Sequence, residues 1–129
     1  MLRLLLDIHV KPDVAAGVAV HRPDCSGESL RDWKGGQCRT ALDPDILAAA
    51  YRDRMTLVTY DLKSIPSLLR AWGAMSRSHG GVVLVDHKTI LASDIGGQVR
   101  SLVYLWDTRG HEDWTNVVDY LRPASASEP

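Results

Sequence analysis

Three short segments, at residues 2–6, 55–60 and 82–85, are rich in apolar or β-branched side chains, and the first and third show almost no alternation between apolar and polar positions. Such runs are typical of strands that are covered on both faces, as in a parallel α/β sheet. An aspartate follows each segment directly: Asp7 after the first, Asp61 after the second and Asp86 after the third.

Segments with helical spacing separate these strands. Pro12 predicts a short helix over residues 13–18. Asp43, followed by a proline, predicts the N-cap of a helix that ends near residue 54, and Ser64 predicts the cap of the next helix. Residues 94–106 predict a last amphipathic helix.

This alternation of strands and helices predicts an α/β fold. We expect a three-layer α/β/α sandwich with a mainly parallel central sheet of four or five strands. Residues 21–41 are polar and rich in glycine, and predict a loop with at most one short strand. Residues 114–121 are compatible with a strand or a helical turn, and we predict an edge strand. A chain of 129 residues predicts one domain over residues 1–122 and a flexible tail at 123–129.

Composition narrows the possible functions. The formal net charge is −1, with 15 basic and 16 acidic side chains, so any nucleic acid must be held locally and not by a global basic field. The apolar start is too short for a signal sequence or a membrane span. Cys25 and Cys38 lack the spacing of a structural zinc site. We therefore expect a cytoplasmic protein with reduced thiols and no membrane association.

The aspartates at the strand ends predict a metal site. Ligands of open α/β sheets bind outside the carboxyl ends of the strands, where Asp7, Asp61 and Asp86 should lie. The helix after Asp43 runs roughly 16 Å and the next strand returns roughly 20 Å, which brings Asp43 to the same edge. Crowded carboxylates need a counter-ion, and an all-oxygen site favours Mg²⁺ or Mn²⁺. Such a site suits phosphodiester hydrolysis.

Three motifs carry a resemblance to a known family: LLLDIHVKP, DPDILAAAYRDRMTLVTYD and GVVLVD. They resemble the PIN-like superfamily, in its short bacterial branch, over about residues 1–90. The most specific match is Asp43, which lies 18 residues before Asp61 of a Thr-x-Asp motif. The resemblance implies that Asp7, Asp43 and Asp61 are the catalytic metal ligands, supported by Thr59. Asp86 or Asp45 could complete the shell.

The resemblance also implies an activity and a partner. It implies cleavage of single-stranded RNA with Mg²⁺ or Mn²⁺, often by the toxin of a toxin–antitoxin pair, so that an antitoxin protein is an expected partner. Two features depart from the pattern. Ile8 stands where relatives in this branch often carry glutamate, and only Glu28 or Asp32 is available for the further acid of full PIN nucleases.

Candidate substrate contacts follow the acids at the strand ends. Lys11 and Lys63 each follow a strand-end acid and could meet phosphates, as could Lys88, and Thr59 is grouped with them as a substrate-binding residue. Trp33 is the candidate for base stacking. Taken alone, each lysine is better explained as a solvated loop residue, and Asp43 as a helix cap.

Other functions remain open at this stage. A PIN-like domain that has lost hydrolysis could dock RNA or a protein, and Ile8 together with the near-neutral charge motivates that alternative. A receiver-like phosphoacceptor domain also uses acids at strand ends, but it requires an acidic pair where only Asp7 is present. Apolar surface near Leu105 and Trp106 could support a homodimer.

Overall fold

A computed structural model describes residues 1–124. The predicted tail at 123–129 therefore falls largely on residues 125–129, which lie outside the described residues. The last described residue, Ala124, is held against a helix, because its backbone N–H donates to Ser101 Oγ at 3.1 Å.

The centre of the fold is a five-stranded sheet in which every pair of neighbours is parallel. The strand order is β2-β1-β3-β4-β5. This sheet confirms the predicted parallel core and the predicted edge strand near the carboxyl end. The strands are β1 (Leu4–Leu6), β2 (Gly27–Ser29), β3 (Thr56–Thr59), β4 (Val82–Leu84) and β5 (Val118–Tyr120).

Four α-helices connect the strands, and a 3-10 turn at Trp33–Gly36 interrupts the polar segment after β2. The first and last helices extend three residues beyond the predicted ends. None of the helices within residues 1–124 has the length and apolar character needed to cross a membrane. The helices are α1 (Pro12–His21), α2 (Asp43–Arg52), α3 (Ser64–Ala74) and α4 (Ile95–Arg109).

The two faces of the sheet belong to separate hydrophobic clusters. Leu4 and Leu6 of β1 pack on the side covered by α1 and α4, whereas Leu5 packs on the side covered by α2 and α3. Because both faces are buried, the strand shows no polar alternation. The three-layer α/β/α sandwich is thus confirmed. Leu105 and Trp106 are half-buried against the first cluster, so much of their apolar surface is already covered.

The helix starts differ from the sequence-based prediction in an informative way. Asp43 is the first residue of α2 and not its cap, since the N-cap position is Leu42 and has no side-chain cap bond. The cap predicted for Ser64 is also wrong, because α3 begins at that residue. Asp61 takes this role, and its Oδ1 accepts from the backbone N–H groups of Lys63 at 3.0 Å and Ser64 at 2.7 Å.

Candidate functional site

The direction of chain winding reverses between β1 and β3. From β1 the chain moves to β2 on one side, and from β3 it moves to β4 and β5 on the other. In open α/β sheets the carboxyl ends of the two strands at such a reversal frame the ligand crevice. Asp7 directly follows β1, and Asp61 lies two residues after β3. Both acids therefore lie at the position where this fold binds ligands.

A single hydroxyl group links these two acids. Thr59, at the end of β3, is fully buried, and its Oγ1 donates to Asp7 Oδ2 at 2.6 Å. The same oxygen accepts the backbone N–H of Asp61 at 3.0 Å. The pairing of the strands continues into the site, since the N–H of Asp7 donates to the carbonyl of Val58 at 2.9 Å. Sheet register thus sets the position of Asp7.

Asp7 is a buried carboxyl group with both oxygens engaged. Only 8% of the residue is exposed, and its Oδ1 accepts the backbone N–H of Ile8 at 2.7 Å. Ile8 serves the site through its backbone, while its side chain packs against the hydrophobic cluster under α2 and α3. The carboxylate of Asp7 is therefore held in one orientation before any ligand arrives.

Asp43 experiences the negative charge of both neighbours. Its half-buried carboxyl group has a pKa above its ordinary value, because burial and the charges of Asp7 and Asp61 all disfavour ionisation. This repulsion means that the first residue of α2 lies at the same edge of the sheet as the other two acids. The assignment of these three acids to one metal site stays a prediction.

The pKa of Asp61 moves in the opposite direction. Burial acts to raise it, but hydrogen bonds from the N–H groups at the start of α3 outweigh burial and hold the pKa below its ordinary range. Asp61 is therefore ionised throughout the neutral range. Its Oδ1 is used by Lys63 and Ser64, as described above, so a structural role accompanies any role in binding.

Asp86 and Asp45 occupy outer positions. Asp86 lies beyond β4, one strand away from the reversal, and its Oδ1 accepts the N–H of Lys88 at 2.8 Å. Asp45 is exposed on the first turn of α2. The carboxylates that raise the pKa of Asp43 are Asp7 and Asp61, which indicates that the inner site consists of three acids.

The three inner acids offer suitable donors, although they are not yet gathered around an ion. Within residues 1–124, no group of three or more His, Cys, Asp or Glu side chains is arranged to hold a metal ion. The donor set is nevertheless all carboxylate, and its mutual repulsion is what a hard divalent cation relieves. The chemistry of these residues fits Mg²⁺ or Mn²⁺.

The proposed substrate contacts fall into two groups. Lys11 and Lys63 are exposed at the N-caps of α1 and α3, beside the acids that precede them. Thr59, grouped with them from sequence, is instead buried and supports Asp7 and Asp61 from within the protein. The stacking role considered for Trp33 is wrong, since only 3% of this residue is exposed.

Arg31 is a residue of this edge that sequence reasoning missed. Its guanidinium donates to the carbonyl of Ile8 from Nη2 at 3.0 Å and from Nε at 3.2 Å, next to Asp7. The available signal was its place two residues after β2, because residues after parallel strands gather at the same edge. Glu28 and Asp32, considered for a further acid, are both exposed, on β2 and before the 3-10 turn.

Comparisons with protein-family models, with curated proteins and with solved structures found no match.

Proposed function

We propose that this chain is a PIN-like ribonuclease that cleaves single-stranded RNA with Mg²⁺ or Mn²⁺. The observation that supports the proposal best is the crowding of Asp7, Asp43 and Asp61 at the winding reversal, expressed in the raised pKa of Asp43. Folding places these charges together at an energetic cost, which a divalent cation would offset. Buried carboxyl groups that repel one another are typical of functional sites and uncommon elsewhere.

The three acids would have different roles. Asp7 and Asp61 are fixed by hydrogen bonds, so they would hold a cation without further ordering. A bound divalent ion would supply positive charge at the attacked phosphate and lower the pKa of a water molecule. Asp43, at the start of α2 beside these two acids, would be the third carboxylate around the ion. Lys11 and Lys63 would contact flanking phosphates, and Asp86 or Asp45 would complete the outer shell.

Cleavage of a fluorescent single-stranded RNA with and without Mn²⁺ tests this proposal. We expect cleavage to require Mn²⁺, and Asp61→Asn to lower the rate by at least about 100-fold, because loss of a ligand should cost no less than the roughly 10–100-fold lost with an outer-shell partner. Asp24→Asn removes an exposed carboxylate from a loop away from the site, and should cleave like the parent protein. Cleavage that persists in Asp61→Asn, or in a chelator, would contradict the assignment.

A second candidate function is a PIN-like module that docks RNA or a protein without hydrolysis. It is favoured by the lack, within the described residues, of a preformed three-ligand metal cluster, and by Ile8 beside Asp7. Calorimetric titration separates the two functions. Mn²⁺ binding accompanied by turnover supports the nuclease, whereas RNA binding without turnover supports the module. If the nuclease acts as a toxin, its expected partner is a neutralising antitoxin protein.

The fold alone does not choose between these chemistries. The strand order found here occurs in doubly wound folds with unrelated functions, so function is set by the residues of the site and not by the fold. A receiver-like phosphoacceptor would need a second acid next to Asp7. That place is Ile8, so this alternative has the least support.

A further inference from the structure

A second groove opens at the opposite edge of the sheet, where the strands begin. Its volume is about 830 Å³. Its lining includes Arg3, which precedes β1, Thr56, which begins β3, and Gly80, which precedes β4. The groove therefore lies at the amino ends of the strands, whereas the acids lie at the carboxyl ends.

The groove is strongly cationic for a protein with a net charge of −1. Arg3, Arg52 and Arg54 line it, against the single carboxylate of Asp113. The carboxyl end of α2 contributes a partial negative charge, but three full positive charges exceed it. Local concentration of guanidinium groups is the feature that a near-neutral protein needs in order to bind an anion.

Within residues 1–124 none of these arginines forms a side-chain ion pair, although Arg54 is close enough to Asp113 to help lower the pKa of that carboxyl group. The side-chain ion pairs in this part of the chain use Arg22, Lys34 and Arg109 as the cations. Arg3 donates to the uncharged backbone carbonyl of Asp53 at 2.5 Å, while the carboxylate of that residue pairs with Lys34 at 2.9 Å. The guanidinium charges are therefore available to a ligand.

An aromatic ring lies beside these charges. Tyr51 lines the groove and is 44% exposed, and it precedes Arg52 at the end of α2. An exposed aromatic ring next to arginines is typical of surfaces that bind single-stranded nucleic acid, because the ring stacks on a base while the arginines contact phosphates. The guanidinium group also offers the paired N–H donors that match a phosphate.

We propose that this groove binds the phosphate backbone of single-stranded RNA and acts as a second anchor for the strand. This inference rests on the proposed function, since RNA is taken as the ligand. Helix α2 runs from the acids to the groove, because it begins at Asp43 and ends at Arg52, a length of roughly 15 Å. An RNA strand that lies along α2 would reach the acids with one end and the groove with the other.

Binding without cleavage tests this inference directly. The probe is a fluorescent 2′-O-methyl oligonucleotide of about ten nucleotides, a length within the range of single-strand binding sites, measured by anisotropy in chelator across a salt series. The test protein combines Arg52→Gln with Arg54→Asn. Asparagine suits residue 54, because its φ of 56° is left-handed. Arg100→Gln, on the exposed surface of α4, is the matched control.

We expect the double variant to bind at least about tenfold more weakly, and its salt slope to fall by roughly 1.4, which corresponds to two lost phosphate contacts on a single strand. The control should match the parent protein in both quantities. Equal binding by the parent protein and the double variant, with matching thermal melts, would overturn the inference. Binding of inorganic phosphate or a mononucleotide, with no binding of the oligonucleotide, would overturn it as well.

Failure of this inference is distinguishable from failure of the proposed function. The oligonucleotide is measured in chelator and cannot be cleaved, so its binding does not depend on whether the acids hold a metal ion. Groove-dependent binding in a protein that never cleaves RNA supports the anchor and contradicts only the nuclease. Conversely, Mn²⁺-dependent cleavage with a KM for long RNA that is unchanged in the double variant overturns only the anchor.

Discussion

Thr59 and Asp7 lie 52 residues apart in the chain, and the hydroxyl of Thr59 donates a hydrogen bond of 2.6 Å to the buried carboxylate of Asp7. The same hydroxyl oxygen accepts the N–H of Asp61. This bridge connects the two strands at which the winding of the sheet reverses. It makes Thr59 a positioning residue for both acids.

Loss of this hydroxyl should destabilise the protein. Thr59→Val keeps the shape of the side chain but leaves Asp7 Oδ2 and the N–H of Asp61 without their partner. We expect the free energy of unfolding to fall by about 1–3 kcal/mol, the cost of leaving buried polar groups unsatisfied. Urea unfolding measures the change. Thr59→Ser keeps the hydroxyl, so its free energy of unfolding should fall by less. An equal loss in both variants would show that the hydrogen bonds contribute little.

Asp43 should reduce stability at neutral pH. Its native pKa lies above the ordinary value of 3.8 that applies to the unfolded state. At pH values between these two pKa values, the native state binds more protons than the unfolded state. Stability therefore falls as pH rises through this interval, and it stays at the lower level at neutral pH. We expect Asp43→Asn to melt at a higher temperature than the parent protein at pH 7 in chelator. The difference should vanish as the pH falls toward the ordinary pKa.

Two controls sharpen this prediction. Asp61→Asn should act in the opposite direction at neutral pH, because the native pKa of Asp61 is lowered and its ionised form stabilises the fold. Addition of Mn²⁺ should raise the melting temperature of the parent protein more than that of Asp43→Asn, since a ligand that binds only the native state stabilises it. A melting temperature of Asp43→Asn at or below that of the parent protein in chelator would contradict the repulsion at this site.

Gly81, directly before β4, should not tolerate a side chain. Its φ is 101°, and a Cβ atom there would lie 2.5 Å from the backbone oxygen of Trp114. We expect Gly81→Ala to lower the free energy of unfolding by more than about 3 kcal/mol, because backbone strain and a clash with backbone combine. Gly35 is the matched control. It has a φ of 68° but open space around it, so Gly35→Ala should cost only about 1 kcal/mol. Similar costs at the two sites would contradict the packing at Gly81.

The two cysteines should differ in reactivity. Both are free thiols, as expected from the sequence, but burial raises the pKa of Cys25 to about 11. Because the thiolate is the nucleophile, Cys25 should resist alkylation in the native protein at pH 8. The half-buried Cys38 should react first. Mass spectrometry after brief iodoacetamide treatment measures the two sites, and fast labelling of Cys25 would contradict its burial.

Much of the fold could be predicted from local patterns. The apolar runs around Leu5 and Val83 predict strands buried on both faces because a side chain on either face must be apolar there, and this depends only on sequence. The ends of the helices were harder to predict. Asp43 and Ser64 satisfy local rules for capping, yet neither caps its helix. Asp43 lies inside α2, and at α3 Asp61 accepts from the N–H groups at the helix start.

Local sequence patterns are sufficient to predict the class of fold, the number of inner strands and the aspartates that follow them, since each of these depends on neighbours along the chain. Tertiary structure alone decided that β3 lies next to β1, and therefore that Thr59 reaches Asp7. It also gathered Arg3, Arg52 and Arg54 around one groove. Contacts between distant segments depend on strand order and on packing across the sheet, and no local pattern in the chain encodes either of them.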